Sequence, residues 1–171
     1  DSLKDNNCDS QSITNKENNI LIVEQEHKEL GFVGSPKYIN QSIIEQIVER
    51  KKVPVIAPLG LDTKNQVFNI NADTAAGAIA KKLNARRLII MSDVEGVLDN
   101  NKKLISEINT EKINELIKSK TITGGMIPKI KNCSDVANNG VKGVVIIDGR
   151  KNHSILFELL SEKGSGTLIR K

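Results

Sequence analysis

The chain is poor in aromatic residues, with no Trp, one Tyr and three Phe, which leaves few platforms on which nucleic-acid bases could stack. Its two cysteines, Cys8 and Cys133, form no close-spaced ligand pair. Neither a disulfide framework nor a thiolate metal site is expected, and both read as structural thiols of a reduced, intracellular chain. No apolar run reaches the length of a membrane span. No basic segment followed by an apolar stretch marks a signal peptide, so a soluble cytoplasmic protein without membrane partners is expected. Charge of one sign is not concentrated either. The net charge of +4 comes from scattered lysines such as Lys51-Lys52, Lys81-Lys82 and Lys102-Lys103, which argues against a nucleic-acid surface.

What remains is ample for a folded domain. With 171 residues the chain can bury a real core without disulfide or metal staples. Residues 1–19 are polar, rich in Asn, Ser and Asp, and read as a disordered or cut end. A short apolar run at 20–23 suits a strand, and residues 31–36 are turn-rich. Ile39, Ile43, Ile44, Ile47 and Val48 recur at helical spacing, which predicts a helix over 40–51. Val53-Pro54-Val55-Ile56-Ala57 reads as a buried strand with its proline near the start. A connection at 61–66 leads to a strand over 67–70 and an Ala-rich helix over 73–83.

Arg87 to Met91 predicts a second buried strand, continuous rather than alternating in its apolar residues. Thr110 is placed as the cap of a helix running to Lys118, and further helices are predicted over 126–138 and 153–161. Strands at 144–147 and 166–170 complete an α/β pattern with no internal repeat.

One junction stands out. Asn69, Asn71 and Asp73 alternate as a strand runs into the Ala-rich helix, so in an extended segment all three face one side and could converge on a cleft. Asp73 would then cap the helix, and capping alone could explain it. The segment Ser92-Asp93-Val94-Glu95-Gly96-Val97-Leu98-Asp99 leaves a buried strand at the end where open α/β sheets gather ligands. In Thr121-Ile122-Thr123-Gly124-Gly125-Met126-Ile127-Pro128-Lys129, paired glycines let backbone amides approach an anion at a helix N-terminus. A lysine in a first turn opposes the helix dipole, which suggests that Lys129 answers to something negative. Asp148, in Ile147-Asp148-Gly149-Arg150, reads as shaping a turn.

Taken together, these strings resemble the carboxy-terminal part of the acetylglutamate kinases, within the amino acid kinase family. Gly31-Phe32-Val33-Gly34, Pro54-Val55-Ile56-Ala57-Pro58 and Gly164-Ser165-Gly166-Thr167-Leu168-Ile169 add to the match, which covers about Glu29 onward. The resemblance implies an α/β/α three-layer sandwich with a mainly parallel sheet, truncated at the amino terminus. It divides the chain into a poorly matching leader (1–28), a remnant of the amino-acid-substrate domain (29–70) and an ATP-binding domain (71–171).

It further implies ATP-dependent phosphorylation of the γ-carboxylate of N-acetyl-L-glutamate, in arginine biosynthesis. Family members carry an earlier half with a glycine-rich phosphate loop, a first catalytic lysine and an arginine for the substrate carboxylate. None of these lies within the 171 residues, so the chain by itself is not expected to be a competent kinase. A homo-oligomer is expected of the full-length enzyme.

By the same resemblance, Lys129 neutralises charge on the transferring phosphoryl group and Asp73 organises the catalytic lysines. Asn69, with Asn71 beside it, binds the acetylated amino acid. Asp93, Val94, Glu95, Gly96, Val97 and Leu98, with Thr121, Ile122 and Thr123, surround adenine and ribose. Mg²⁺ is expected to ride on the ATP phosphates, so no metal ligands are assigned. The acceptor carboxylate is already a nucleophile, so positioning and charge neutralisation would suffice for catalysis.

Glu158 and Gly164 match an arginine effector site. Against that, Val145 stands where arginine-sensitive members often carry a histidine, and Glu158 also reads as a plain surface carboxylate. Two other readings are open: a related amino acid kinase acting on carrier-linked aminoadipate or glutamate, and a non-catalytic nucleotide-binding or regulatory module.

Overall fold

In a computed structural model, which describes residues 2–14 and 20–171, the chain divides into two units, Asp1–Lys82 and Leu83–Lys171. The division follows the Ala-rich helix rather than preceding it, so that helix belongs with the first unit and not with the strands after it.

The first unit contains a short helix α1 (Ser2–Asp5) and strands β1 (Ser10–Ile13), β2 (Leu21–Gln25) and β3 (Gly34–Ile39). Helix α2 (Gln41–Glu49), strands β4 (Val53–Ile56), β5 (Leu59–Leu61) and β6 (Val67–Asn69), and helix α3 (Ala72–Lys82) follow. β1 runs parallel to β4, from Ser10 opposite Val53 to Ile13 opposite Ile56. The other four strands form a sheet in the order β3-β2-β5-β6. α2 turns Ile44 and Ile47 inward, and α3 buries Ala75, Gly77 and Ala80, small residues that let a helix lie close to the strand it packs on, here β3. Ile13, Ile20, Leu21, Val23, Ile39 and Ile70 complete this core.

Three expectations for this unit need correction. The polar leader is not uniformly disordered: residues 2–5 are helical and 10–13 form a strand, while 15–19 lie outside the described residues. β1 carries a single apolar residue in its sequence, Ser-Gln-Ser-Ile, and its order comes from its partner β4. Residues 34–36 are not a turn but the start of β3. Pro36 is tolerated there because β3 is an edge strand, where a missing N–H costs no ladder bond, and because the register against β2 shifts between Ile22 and Val23. β4 is not the buried strand expected, since Val53 and Val55 are 43% and 46% exposed. The short strand β5 before the expected connection pairs antiparallel with β6, which makes that connection a hairpin.

The second unit is built from β7 (Leu88–Ser92), β8 (Glu107–Asn109), helices α4 (Ile113–Lys118) and α5 (Met126–Asn138), β9 (Val144–Asp148), α6 (Ser154–Leu160) and β10 (Thr167–Arg170). Its sheet has the order β7-β9-β10-β8. β7 and β9 are parallel and in step from Leu88 opposite Val144 to Ser92 opposite Asp148. Every residue of β9 is buried, which requires cover on both faces; α5 and α6 both pack on it. Ile130, Cys133 and Val136 of α5, Val144, Ile146 and Ile147 of β9 and Ile169 of β10 are all fully buried in this core.

Among the described residues four of seven strand pairings are parallel, so the chain is α/β with a mostly parallel arrangement. Thr110 does not cap the helix it precedes. It lies in a 3-10 turn, Thr110–Lys112, which Asn109 caps by accepting the Glu111 N–H at 2.8 Å; α4 follows with no side-chain cap, and Thr110 is buried, donating to Asn138 Oδ1 at 3.0 Å.

α6 is inverted relative to an ordinary surface helix. Its buried residues are Ser154 and Glu158, while Leu156, Phe157, Leu159 and Leu160 are more than half exposed. Among the described residues no helix is long and apolar enough to cross a membrane.

Candidate active site

In the first unit, the exit of β6 presents the two amides. Phe68 and Ile70 are buried and Asn69 and Asn71 are exposed, the alternation of a pleated strand with one covered face. Asn69 is fixed from behind: its N–H donates to the Phe32 carbonyl at 2.8 Å and it bridges Val33 in parallel.

The alternation does not extend to Asp73. α3 begins at Ala72, so Asp73 lies inside the first helical turn, half-buried. Nor is Asp73 the capping side chain. Asn71 Oδ1 accepts the Thr74 N–H at 3.2 Å, the three-residue reach of an N-cap. Asp73 instead places its carboxylate where the helix dipole is positive.

In the second unit, the sheet register decides what meets. Ser92 lies opposite Asp148 at the C-terminal ends of two parallel strands, so segments 93–98 and 149–151 leave the sheet side by side. The Gly149 N–H donates to the Ser92 carbonyl at 2.8 Å, and Lys151 Nζ meets Glu95 Oε1 at 2.8 Å. Asp148 is 3% exposed. Its Oδ1 accepts from Arg150 Nε at 2.9 Å and from the Arg150 N–H at 3.0 Å, and its Oδ2 accepts from Arg150 Nη2 at 2.9 Å. The guanidinium bond, then the backbone bond, lower the Asp148 carboxyl to about 2 against the opposing effect of burial. The same pairing raises Arg150.

The far end of segment 93–98 is fastened by a residue that no motif singled out for a role. Thr167, fully buried at the start of β10, accepts the Val97 N–H at 2.8 Å and donates to the Ile105 carbonyl at 2.7 Å. It pins both legs of the hairpin closed by Leu98 and Leu104. Gly96 makes this approach possible: its φ is +143°, and a Cβ there would stand 2.6 Å from Thr167 Oγ1. The only sequence signal for Thr167 was its place in the closing Gly-Ser-Gly-Thr string.

Of the residues expected around the nucleotide, Asp93, Glu95 and Thr123 are exposed, and Val94, Leu98 and Thr121 are half-buried. Gly96, Val97 and Ile122 are buried, so their side of the segment belongs to the core. Thr121, Ile122 and Thr123 form the approach to α5. The Thr121 and Ile122 N–H groups both donate to the Leu116 carbonyl at 3.0 Å, and the Thr123 and Gly124 carbonyls accept from Met126 and Ile127. Nothing lies within 4 Å of where a Cβ would sit on Gly124 or Gly125, so the backbone is open there. Lys129 is half-buried in the first turn of α5, which carries no acidic residue. Lysine charge and helix dipole therefore add at this helix start.

Glu158 is not a plain surface carboxylate. It is 7% exposed, accepts the Ser165 N–H at 2.9 Å and pairs with Arg87 Nη1 at 3.3 Å. Gly164, at φ +67°, leaves room for it: a Cβ would lie 2.6 Å from Glu158 Oε2. Arg87, Glu158 and Gly164 line a cleft of about 440 Å³ with Ser106, Lys163 and Leu168. Val145 does not reach this surface, being 1% exposed within β9.

Residues 1–148 match the amino acid kinase family. The chain belongs to the amino acid kinase family. Within that family it is 67% identical over all 171 residues to the acetylglutamate kinase of Pelagibacter ubique, and spans 59% of that protein's length. A solved structure from Streptococcus mutans superimposes with a TM-score of 0.84 at 32% identity, covering 99% of this chain and 64% of that one. The carbamate kinase of Giardia lamblia bound to AMP-PNP shares the fold, with a TM-score of 0.71 at 19% identity, 99% of this chain and 65% of that chain. The α/β architecture is thus that of the amino acid kinase family.

Proposed function

We propose that this chain serves an acetylglutamate kinase, transferring a phosphoryl group from ATP to the γ-carboxylate of N-acetyl-L-glutamate in the cytoplasm. The observation that carries this reading is the start of α5, where Lys129 and the helix dipole concentrate positive charge behind an open glycine pair. Identity of 67% to the Pelagibacter acetylglutamate kinase, across the whole chain, supports the acceptor.

In this reading the acceptor carboxylate attacks phosphorus directly and no general base is needed. Lys129 offsets the charge that builds on the transferring group and on departing ADP. A preorganised donor of this kind contributes about 3 to 4 kcal/mol where single oxyanion donors have been removed from other enzymes. Asn69 and Asn71, exposed at the exit of β6, offer amide donors and acceptors to the acetylated amino acid. Asp73 organises the lysine charges. Segments 93–98 and 121–123 receive adenine and ribose, with Asp93, Glu95 and Thr123 the accessible polar groups. Mg²⁺ would come with the ATP phosphates and supply charge neutralisation there, with no residue of this chain assigned as its ligand. The Glu158 and Gly164 cleft is the place for an arginine effector.

Calorimetric titration of the 171-residue chain with MgATP tests the nucleotide part. Saturable heat, reduced in Lys129→Ala, is the expected result; the absence of any saturable signal at millimolar MgATP would overturn it. For the effector, arginine that leaves the thermal midpoint unchanged at millimolar concentration would remove Glu158 and Gly164 from consideration.

A further inference from the structure

Arg150 combines two properties that rarely coincide. Its side chain is 66% exposed, yet it is not free to wander, because its guanidinium and backbone N–H make three bonds to one buried carboxylate, Asp148. A two-point guanidinium–carboxylate bond fixes direction as well as distance. The charge so fixed lies beside segment 93–98. Gly149 is bonded to Ser92 on one side of it and Lys151 to Glu95 on the other, and the carboxylates of Asp93 and Glu95 act on it electrostatically.

The need for such a charge is plain. A polyphosphate ligand brings several negative charges to a strand exit that already carries two carboxylates, and like charges in a partly dry site repel. Exposed lysines elsewhere on the chain would offset this weakly, being mobile and screened. An oriented guanidinium does so without the cost of being ordered at the moment of binding.

We propose that Arg150, fixed by Asp148, is a positioning residue for segment 93–98, holding the acidic strand exit in the shape that receives a nucleotide. The proposal rests on the nucleotide reading given above. It separates Asp148 from a mere turn-former: the buried carboxylate is there to aim the arginine.

The test compares the chain with Arg150→Gln, Arg150→Lys and Asp148→Asn by calorimetric titration with MgATP at low and high salt, and by amide hydrogen exchange without ligand. Arg150→Gln is expected to weaken MgATP binding about tenfold, with a deficit that shrinks as salt rises. Arg150→Lys should recover only part of it, since an ammonium cannot make the forked bond. Amides of residues 93–96 should exchange several-fold faster in Arg150→Gln and Asp148→Asn, while those of β9 stay protected. Because both substitutions cut one link, the double variant should be little worse than either alone.

Wild-type chain that binds MgATP no better than Arg150→Gln would overturn this proposal and leave the nucleotide reading intact. Weaker binding without faster exchange would make Arg150 a direct ligand contact rather than a positioning residue. If wild-type chain takes up no nucleotide, both readings fall together.

Discussion

Replacing Thr167 by valine removes one oxygen and almost no volume, so it isolates the hydroxyl that ties segment 93–98 to β10. The wild-type hydroxyl takes the Val97 N–H and gives its proton to the Ile105 carbonyl. After substitution the Val97 N–H, on a residue 2% exposed, has no partner, and an orphaned buried donor costs about 1 to 3 kcal/mol. The Ile105 carbonyl is half-buried and can recover a water, so its loss falls at the lower end of that range. The added methyl returns about 0.8 kcal/mol of burial.

The net expectation is a loss of about 2 kcal/mol, or a fall of about 1 M in the urea midpoint at a slope of about 2 kcal/mol/M. Thr167→Ser is the control: it keeps both bonds and deletes a buried methyl, for about 1 kcal/mol. Valine should therefore be worse than serine, and the Val97 amide should lose exchange protection in valine alone. Serine worse than valine would show that Thr167 acts by packing and would refute the reasoning.

Gly96→Ala should lower the urea midpoint by more than Thr167→Ser, because it combines a positive φ with a clash against Thr167; about 2 to 4 kcal/mol is expected from strain and overpacking together, and an unchanged midpoint would refute the close approach. The Asp148 carboxyl is lowered to about 2 in the folded chain, so its pairing stabilises the fold fully above the ordinary carboxylate range near 4. That contribution is lost as pH falls through about 2. Acid unfolding followed by circular dichroism should show Asp148→Asn less stable than wild type at neutral pH, with the gap closing towards pH 2. In an enzyme carrying this chain, Lys129→Ala should lower turnover by two orders of magnitude or more with an unchanged melting temperature; near-normal turnover would remove Lys129 from the chemistry.

How much of this was legible depended on where each element takes its order from. β9 and α5 announce themselves, one by four consecutive apolar residues and the other by helical periodicity, because each buries its own side chains. β1 and β8 do not. Ser-Gln-Ser-Ile and Glu-Ile-Asn offer one apolar residue each and are strands only because β4 and β10 lie beside them. The segments of the candidate site were visible because phosphate chemistry uses recognisable strings of Gly, Asn, Asp and Lys. Their fastenings were not. Thr167 is an unremarkable hydroxyl until the fold sets it under Gly96, and Asn71 takes the cap from Asp73 because the helix starts one residue early.

The inverted helix α6 bears on the response to salt. Its grip on the second unit passes through Glu158, paired with Arg87 and Ser165, and through Ser154, whose carbonyl accepts from Ser165 Oγ at 2.9 Å. Opening α6 would break these polar links and also wet the apolar strand β9 on which it packs, so the event would carry a heat-capacity change of its own. The Arg87–Glu158 pair adds a dependence on ionic strength that an attachment made only of apolar side chains would lack. Salt should therefore speed the exchange of α6 amides more than those of α5.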